Sequence, residues 1–260
     1  MADQAQGDMH HQASGQQTVH TLDGVDAKSA LLRRGYHALA FGAGDARLHF
    51  ENHTHCSSFD DVPISYDGST SCFFVQRDAL GRSHSPIFLD LNPNPAAPSI
   101  ISQEYWQLNT EADLGRFVKG DNVKLEDTIF LLHEGVEGAL GLTVEQAVQG
   151  KGTHLKGWKE TANLGDKASA HIRLWFPGRQ SWKRQIQTKD HTSSRNPILL
   201  KGFVQHIGRC VEAYFQKNAA LCSISGEPIT SKELIILGAV HVSAGSWQPI
   251  LAYNMRETVE

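Results

Sequence analysis

The chain reads as an α+β fold: an antiparallel sheet with one long amphipathic helix, about 197–217, packed on it and several short helices. Two observations carry that reading. Leu200, Phe203, Val204, Ile207, Cys210, Val211, Tyr214 and Phe215 recur at three- and four-residue steps, while Lys201, Gln205, His206, Arg209 and Glu212 fall on the other side, as on an amphipathic helix. Short apolar runs bounded by turn residues, among them SCFFVQ, PIFLDLN, ELIILGAVHVS and WQPILAY, have the length and composition of strands. With 260 residues, 40% of them hydrophobic, the chain is long enough for one core, placed at 28–255.

Residues 1–27 are rich in Gln, His, Gly, Asp and Ser without apolar period, which predicts a disordered polar tail. Order is expected near Ala27, with a helical turn through Leu31 and Leu32. YHALAF and ARLHFEN, separated by Gly42-Ala43-Gly44-Asp45, read as a hairpin. SCFFVQ and PIFLDLN make a second pair across a connector with Asp78, Gly81 and Arg82. The segment Asn92–Pro98 marks either a domain seam or a long surface turn, and the turn is favoured.

From Glu104 to Glu145 the chain is acidic, with nine carboxylates against Arg116, Lys119 and Lys124. A helix is expected from Thr110 to Lys119. Ile129–Leu132 is a buried strand or a helical turn. Thr143-Val-Glu-Gln146 has the capping-box pattern, with Gly150 as a stop.

His171–Phe176 alternates as a strand, Ile172, Leu174 and Phe176 against His171, Arg173 and Trp175, and Pro177-Gly178 ends it. A short helical piece is expected over Arg179–Thr188, with Trp182 and Ile186 one turn apart. Asn196 as N-cap and Pro197 as first residue then open the long helix. After a turn at 223–230, ELIILGAVHVS and WQPILAY read as a hairpin, although Thr230-Ser-Lys-Glu233 has the pattern that could instead cap a helix.

Charge separates this middle segment from the rest. Between His171 and Lys201 stand Arg173, Arg179, Lys183, Arg184, Lys189, Arg195 and Lys201 against Asp190 alone, in a chain of net charge −4. Trp182, Trp175 and Phe176 are interleaved. One reading is a solvated surface whose cations pair with the Glu104–Glu145 block. The other is an anion-binding face, built from those seven cations and Trp182, for nucleic acid or an acidic protein partner. A helix N-terminus flanked by Arg195 and Lys201 also suits a phosphate. A helix-turn-helix is disfavoured, because the intervening loop of about nine residues exceeds the usual three or four.

A second constellation is Arg47, His49, Glu51, His53 and His55. On a strand all five project from one face, and His49, Glu51, His53 and His55 could hold a divalent metal, the alternative to a cofactor-free protein. In a chain with 14 histidines the same pattern also fits a polar, solvated strand. There is no G-x-S-x-G, and Ala244-Gly-Ser-Trp lies in a turn, so no serine nucleophile stands out beside His241.

The four cysteines, Cys56, Cys72, Cys210 and Cys222, show no C-x-x-C spacing. No apolar run reaches the ~20 residues of a membrane span, and the N-terminal residues lack a signal-peptide pattern. An intracellular location, cytoplasmic or nuclear, is expected, and the Asn52-His53-Thr54 sequon is then idle.

At W-K-R-Q-I-x-T-K-D followed by R-N-P-I-L-L-K-G-F, and again at H-V-S-A-G-S-W-Q-P-I-L, the sequence resembles an uncharacterised fungal protein family. The resemblance covers Trp175–Phe215 and Glu233–Leu251. It implies that the two segments belong to one unit and carries over no activity. The functions read from the residues are therefore a non-enzymatic binding module using the basic stretch, a metal-dependent enzyme using the His-rich segment, or a structural, self-associating domain.

Overall fold

A computed structural model describes residues 24–76, 86–94, 98–218, 223–224, 227–228 and 230–254. Most of the expected tail, the Asp78–Arg82 connector, part of the Asn92–Pro98 turn and Cys222 lie outside those residues.

The N-terminal part corrects the hairpin expected over 36–52. It forms three helices, α1 (Gly24–Arg34), α2 (Tyr36–Phe41) and α3 (Ala43–Thr54). The alternation in YHALAF and ARLHFEN is real but short. On α2 Tyr36, His37, Ala40 and Phe41 are buried, and on α3 Ala46, His49, Phe50 and His53 form a buried stripe at helical steps of three and four, with Asn52 and Thr54 also buried. Gly42, at φ 86°, breaks the chain between α2 and α3 in a conformation that other residues resist.

A 3-10 turn at Phe59–Asp61 leads to β1 (Ile64–Asp67), β2 (Cys72–Val75) and β3 (Ile87–Leu91), an antiparallel sheet in that order. The β2–β3 pair is the one expected. Its inner side, with Phe73, Val75 and Leu89, packs on Leu31 of α1 and Phe50 of α3.

Next come β4 (Ser99–Ile100), α4 (Glu111–Phe117), β5 (Ile129–Phe130), β6 (Leu142–Thr143), α5 (Val144–Gln149), β7 (Ser169–Leu174), β8 (Trp182–Gln187), α6 (Leu200–Lys217), the two-residue strands β9 (Ser223–Ile224) and β10 (Glu227–Pro228), β11 (Leu234–Ser243) and β12 (Ser246–Tyr253). The large sheet has the order β5-β11-β12-β7-β8, with β4 added to β12 and β6 to β11. Its pairs are antiparallel except β12 with β7.

Several local readings hold. Thr110 caps α4, Thr143 and Gln146 close a capping box on α5, and Gly150 ends α5 at φ 69°. β11 and β12 form the expected hairpin. Every residue of β11 is buried, because α6 covers one face of the sheet while α2 and the 100–106 segment cover the other. The apolar stripe of α6 is buried as read, at ~1.5–3 kcal/mol per large side chain. Phe203 of α6 meets Trp247 of β12 edge-on at 5.4 Å, so the segments Trp175–Phe215 and Glu233–Leu251 share one core.

Two corrections concern the basic stretch. The helix expected over Arg179–Thr188 is a turn followed by β8, which pairs with β7 over six consecutive residues. Cross-strand partners at Leu174–Trp182, Ile172–Arg184 and Ala170–Ile186 outweigh a single one-turn spacing of Trp182 and Ile186. The long helix starts at Leu200 with Leu199 as N-cap. Asn196 instead donates its side-chain amide to Asp190 and Ser194, and Pro197 bridges to Lys189, so 196–198 run extended.

Candidate cationic hairpin and buried histidine cluster

The seven cations fall into three groups. Alternation along β7 and β8 sends Ala170, Ile172, Leu174 and Ile186 toward α6, and His171, Arg173 and Lys183 to the other face. Arg184 lies on the α6 side, close enough to His206 and Arg209 for the two guanidinium groups to lower the His206 pKa, although burial is the larger cause. Cationic side chains thus stand on both faces of the β7–β8 hairpin, Arg173 and Lys183 on one and Arg184 on the other.

Arg173 differs from its neighbours. Its guanidinium lies 3.5 Å from the Trp106 ring centroid and its Nε donates to Ser246 Oγ at 2.8 Å. Burial lowers its pKa to about 10. It is tied into the wall of the sheet. Trp182, half-buried against Tyr214 at 6.0 Å, likewise serves the core more than the surface.

Lys189 and Arg195 come together at the end of the hairpin, where with Gln187, Asp190, His191, Thr192 and Ser193 they line a hollow of about 350 Å³. Asp190 organises that loop, accepting from the Thr192 hydroxyl at 2.6 Å and from the amides of Thr192 and Asn196, and these bonds, the hydroxyl's first, hold its carboxyl below the usual range. Lys201 stands apart, beside Gly150 and Gln205 where α5 meets α6.

Arg179, Lys183, Arg184, Arg195 and Lys201 are exposed. Among the described residues, none of the seven cations is in an ion pair. The acidic block pairs within itself or with α3: Asp113 with Arg116 at 2.8 Å, Glu126 with Lys124 at 3.3 Å, and Asp127 with His53 at 3.2 Å. Neutralisation of the basic stretch by Glu104–Glu145 is thus not seen among the described residues.

The second constellation is rearranged by the helix. On α3, His49 and His53 share one face, four residues apart, whereas Glu51 and His55 do not join them. Glu51 accepts from the Phe59 amide at 2.8 Å. His55 is the left-handed C-cap, and with Glu51, Cys56 and Lys119 it lines a shallow hollow of about 200 Å³.

What the sequence did not announce is the company His49 and His53 keep. His37 of α2 stacks on His49, 4.8 Å between centroids and 24° from parallel, and His49 lies 5.7 Å from His53. The His37 amide donates to Asp90 Oδ2, whose oxygen also lies 3.2 Å from His37 Nδ1, and His37 Nε2 is 3.0 Å from Thr128 Oγ1. His49 Nδ1 is 3.1 Å from the Tyr105 hydroxyl. His241 of β11 accepts from the Glu126 amide through Nδ1 at 2.8 Å, which fixes its proton on Nε2. All four rings are buried.

Burial, reinforced by His37, His53 and His241, holds the His49 pKa well below its ordinary value. The same burial, with His53 adding, lowers His241 to about 3. These two rings are neutral at physiological pH. His49 Nε2, His53 Nδ1 and His241 Nε2 have no hydrogen-bond partner among the described residues. Even so, no group of three or more His, Cys, Asp or Glu among those residues is arranged to hold a metal ion.

Only the i, i+4 spacing of His49 and His53 signalled any of this in the sequence. His37 and His241 are brought in by the packing of α2 and β11. Comparisons with protein-family models, curated proteins and solved structures find no match to this chain.

Proposed function

We propose that the chain is a non-enzymatic binding module whose cationic β7–β8 hairpin takes a negatively charged macromolecule. The observation that carries the reading is the set of exposed cations on and beside that hairpin, Arg179, Lys183, Arg184 and Arg195, none in an ion pair among the described residues, in a protein of net negative charge. Desolvation costs them nothing in the unbound state, and counter-ions released from an anionic partner drive association. Beyond the end of β8, Lys189 and Arg195 add two further cations around a hollow that Asp190 also lines. No helix among the described residues is long and apolar enough to cross a membrane, and the reading invokes no membrane partner.

The test is binding of labelled polyglutamate and of a labelled single-stranded oligonucleotide at two salt concentrations. At ~50 mM salt at least one of them binds. Engagement of about four cations weakens the oligonucleotide complex by roughly fiftyfold at ~200 mM. Absence of binding by both at ~50 mM removes the reading.

The reading as a metal-dependent enzyme is supported by the paired His49 and His53 alone, since Glu51 and His55 are placed elsewhere. It is the weaker of the two.

A further inference from the structure

We propose that the partner is an extended acidic segment of another protein, which adds to β8 as the next strand of the large sheet. The proposal rests on the cationic reading above and narrows it to one class of partner.

β8 is the last strand of the sheet, and among the described residues its backbone, from Trp182 to Gln187, pairs only with β7. The register with β7 is continuous over six pairs, with no bulge or proline to twist the edge away. The opening has a definite end. From Thr188 onward the edge is covered, Ile198 donating to Thr188 at 3.0 Å and Asp190 to Asn196 at 2.8 Å. What remains is an open edge of six residues, about 20 Å long, with every second residue turning its N–H and C=O outward. Such an edge is a template for another extended chain. A nucleic acid backbone offers no matching row of amides and carbonyls.

Charge then selects which chain. Lys183 and Arg184 are consecutive, so they stand on opposite faces of the sheet, Lys183 near His171 and Arg173, Arg184 near His206 and Arg209. A second copy of this chain, paired edge to edge, would set these cations against their own kind and is repelled. A partner strand with two consecutive carboxylates instead meets both, one on each face. Trp182, next to Lys183, packs inward on Tyr214 and leaves only its half-exposed rim beside the partner strand. The fitting partner is thus an extended segment of about six residues with adjacent Asp or Glu flanked by β-branched residues.

The experiment uses the full chain and an acetylated, amidated Thr-Val-Glu-Glu-Val-Thr peptide. Two further peptides are N-methylated at alternate amides, one in each frame. At ~50 mM salt the parent peptide binds, and one N-methylated frame loses about tenfold or more of that affinity while the other keeps it. A Lys183→Glu/Arg184→Glu protein, shown by circular dichroism to be folded, loses the parent peptide. If both N-methylated frames bind like the parent, or if a single-stranded oligonucleotide binds and the peptide does not, strand addition is overturned while the cationic reading stands. If neither peptide nor oligonucleotide binds, both fall. A concentration-dependent dimer that the double substitution abolishes would also overturn the proposal, in favour of self-pairing.

Discussion

The imidazole of His241 lies flat on the indole of Trp247, 4.5 Å between ring centroids and 10° from parallel. The two residues are cross-strand partners at the closed end of the β11–β12 hairpin, and both are buried. The stacking sets His241 so that its Nδ1 takes the Glu126 amide, tying the acidic segment to the centre of the sheet.

The pH dependence of stability follows from this burial. The pKa values of His49 and His241 are depressed in the folded chain, so below the ordinary value of 6.5 the unfolded chain binds more protons than the folded one. The histidine contribution is therefore fully present above 6.5 and declines as pH falls from there toward about 3, the His241 value. Urea midpoints measured at pH 8, 6 and 5 should decrease in that order. A midpoint that rises on acidification across this range would contradict the neutral, buried cluster.

His241→Phe separates stacking from hydrogen bonding. The phenyl ring keeps the face against Trp247 but leaves the Glu126 amide without its acceptor, at a cost of ~1–3 kcal/mol at pH 8. The fall in stability between pH 8 and 5 should at the same time become shallower, since one titrating ring is gone. An unchanged midpoint at pH 8 would show that the amide finds another partner.

Gly35 is where α1 gives way to α2, and its missing side chain lets Asp90 reach His37. A Cβ at this position would meet Asp90 Oδ2 in direct collision and the Leu31 carbonyl at 2.7 Å. Neither is the far end of a flexible chain with room to move. Gly35→Ala is expected to lower stability by ~1–3 kcal/mol, read from chemical denaturation. A neutral substitution would mean that Asp90 is not held against His37 as described.

Arg173 and Lys183 are cross-strand neighbours with different duties. Arg173→Ala removes the stacking on Trp106 and the bond to Ser246, so thermal stability should fall by ~1–2 kcal/mol. Lys183→Ala, at an exposed site without an ion pair, should change stability by less than ~0.5 kcal/mol. Equal effects of the two would erase the distinction between a structural cation and one open to a partner.

Much of this fold could be read from residue order where one period ran long enough to exclude the other. The α6 stripe spans more than four turns, so its type is plain, whereas the β11 run, flanked by turn residues, favours a strand over a helix capped at Thr230–Glu233. Tyr36–Phe41 is too short for its alternation to decide, and only burial of His37 and Phe41 beneath the sheet makes it a helix. β8 is hard to read from residue order because four of its six residues are exposed, leaving one fully buried side chain, Ile186, to mark its inner face. The basic stretch was visible as composition, but its division into structural Arg173, the open pair Lys183 and Arg184, and the loop pair Lys189 and Arg195 depends on strand pairing. The histidine cluster was half visible, since His49 and His53 share a helix while His37 and His241 arrive from elements far along the chain.

Titration of a labelled single-stranded oligonucleotide and of polyglutamate against the wild-type and Lys183→Glu/Arg184→Glu chains, repeated from ~50 to ~200 mM salt, tests the cationic hairpin most directly. The expected result is wild-type binding that weakens steeply with salt and a double variant, equally stable, that has lost most of both the affinity and the salt slope. Equal affinity and equal slope in the two chains would show that the β7–β8 hairpin is not the binding surface.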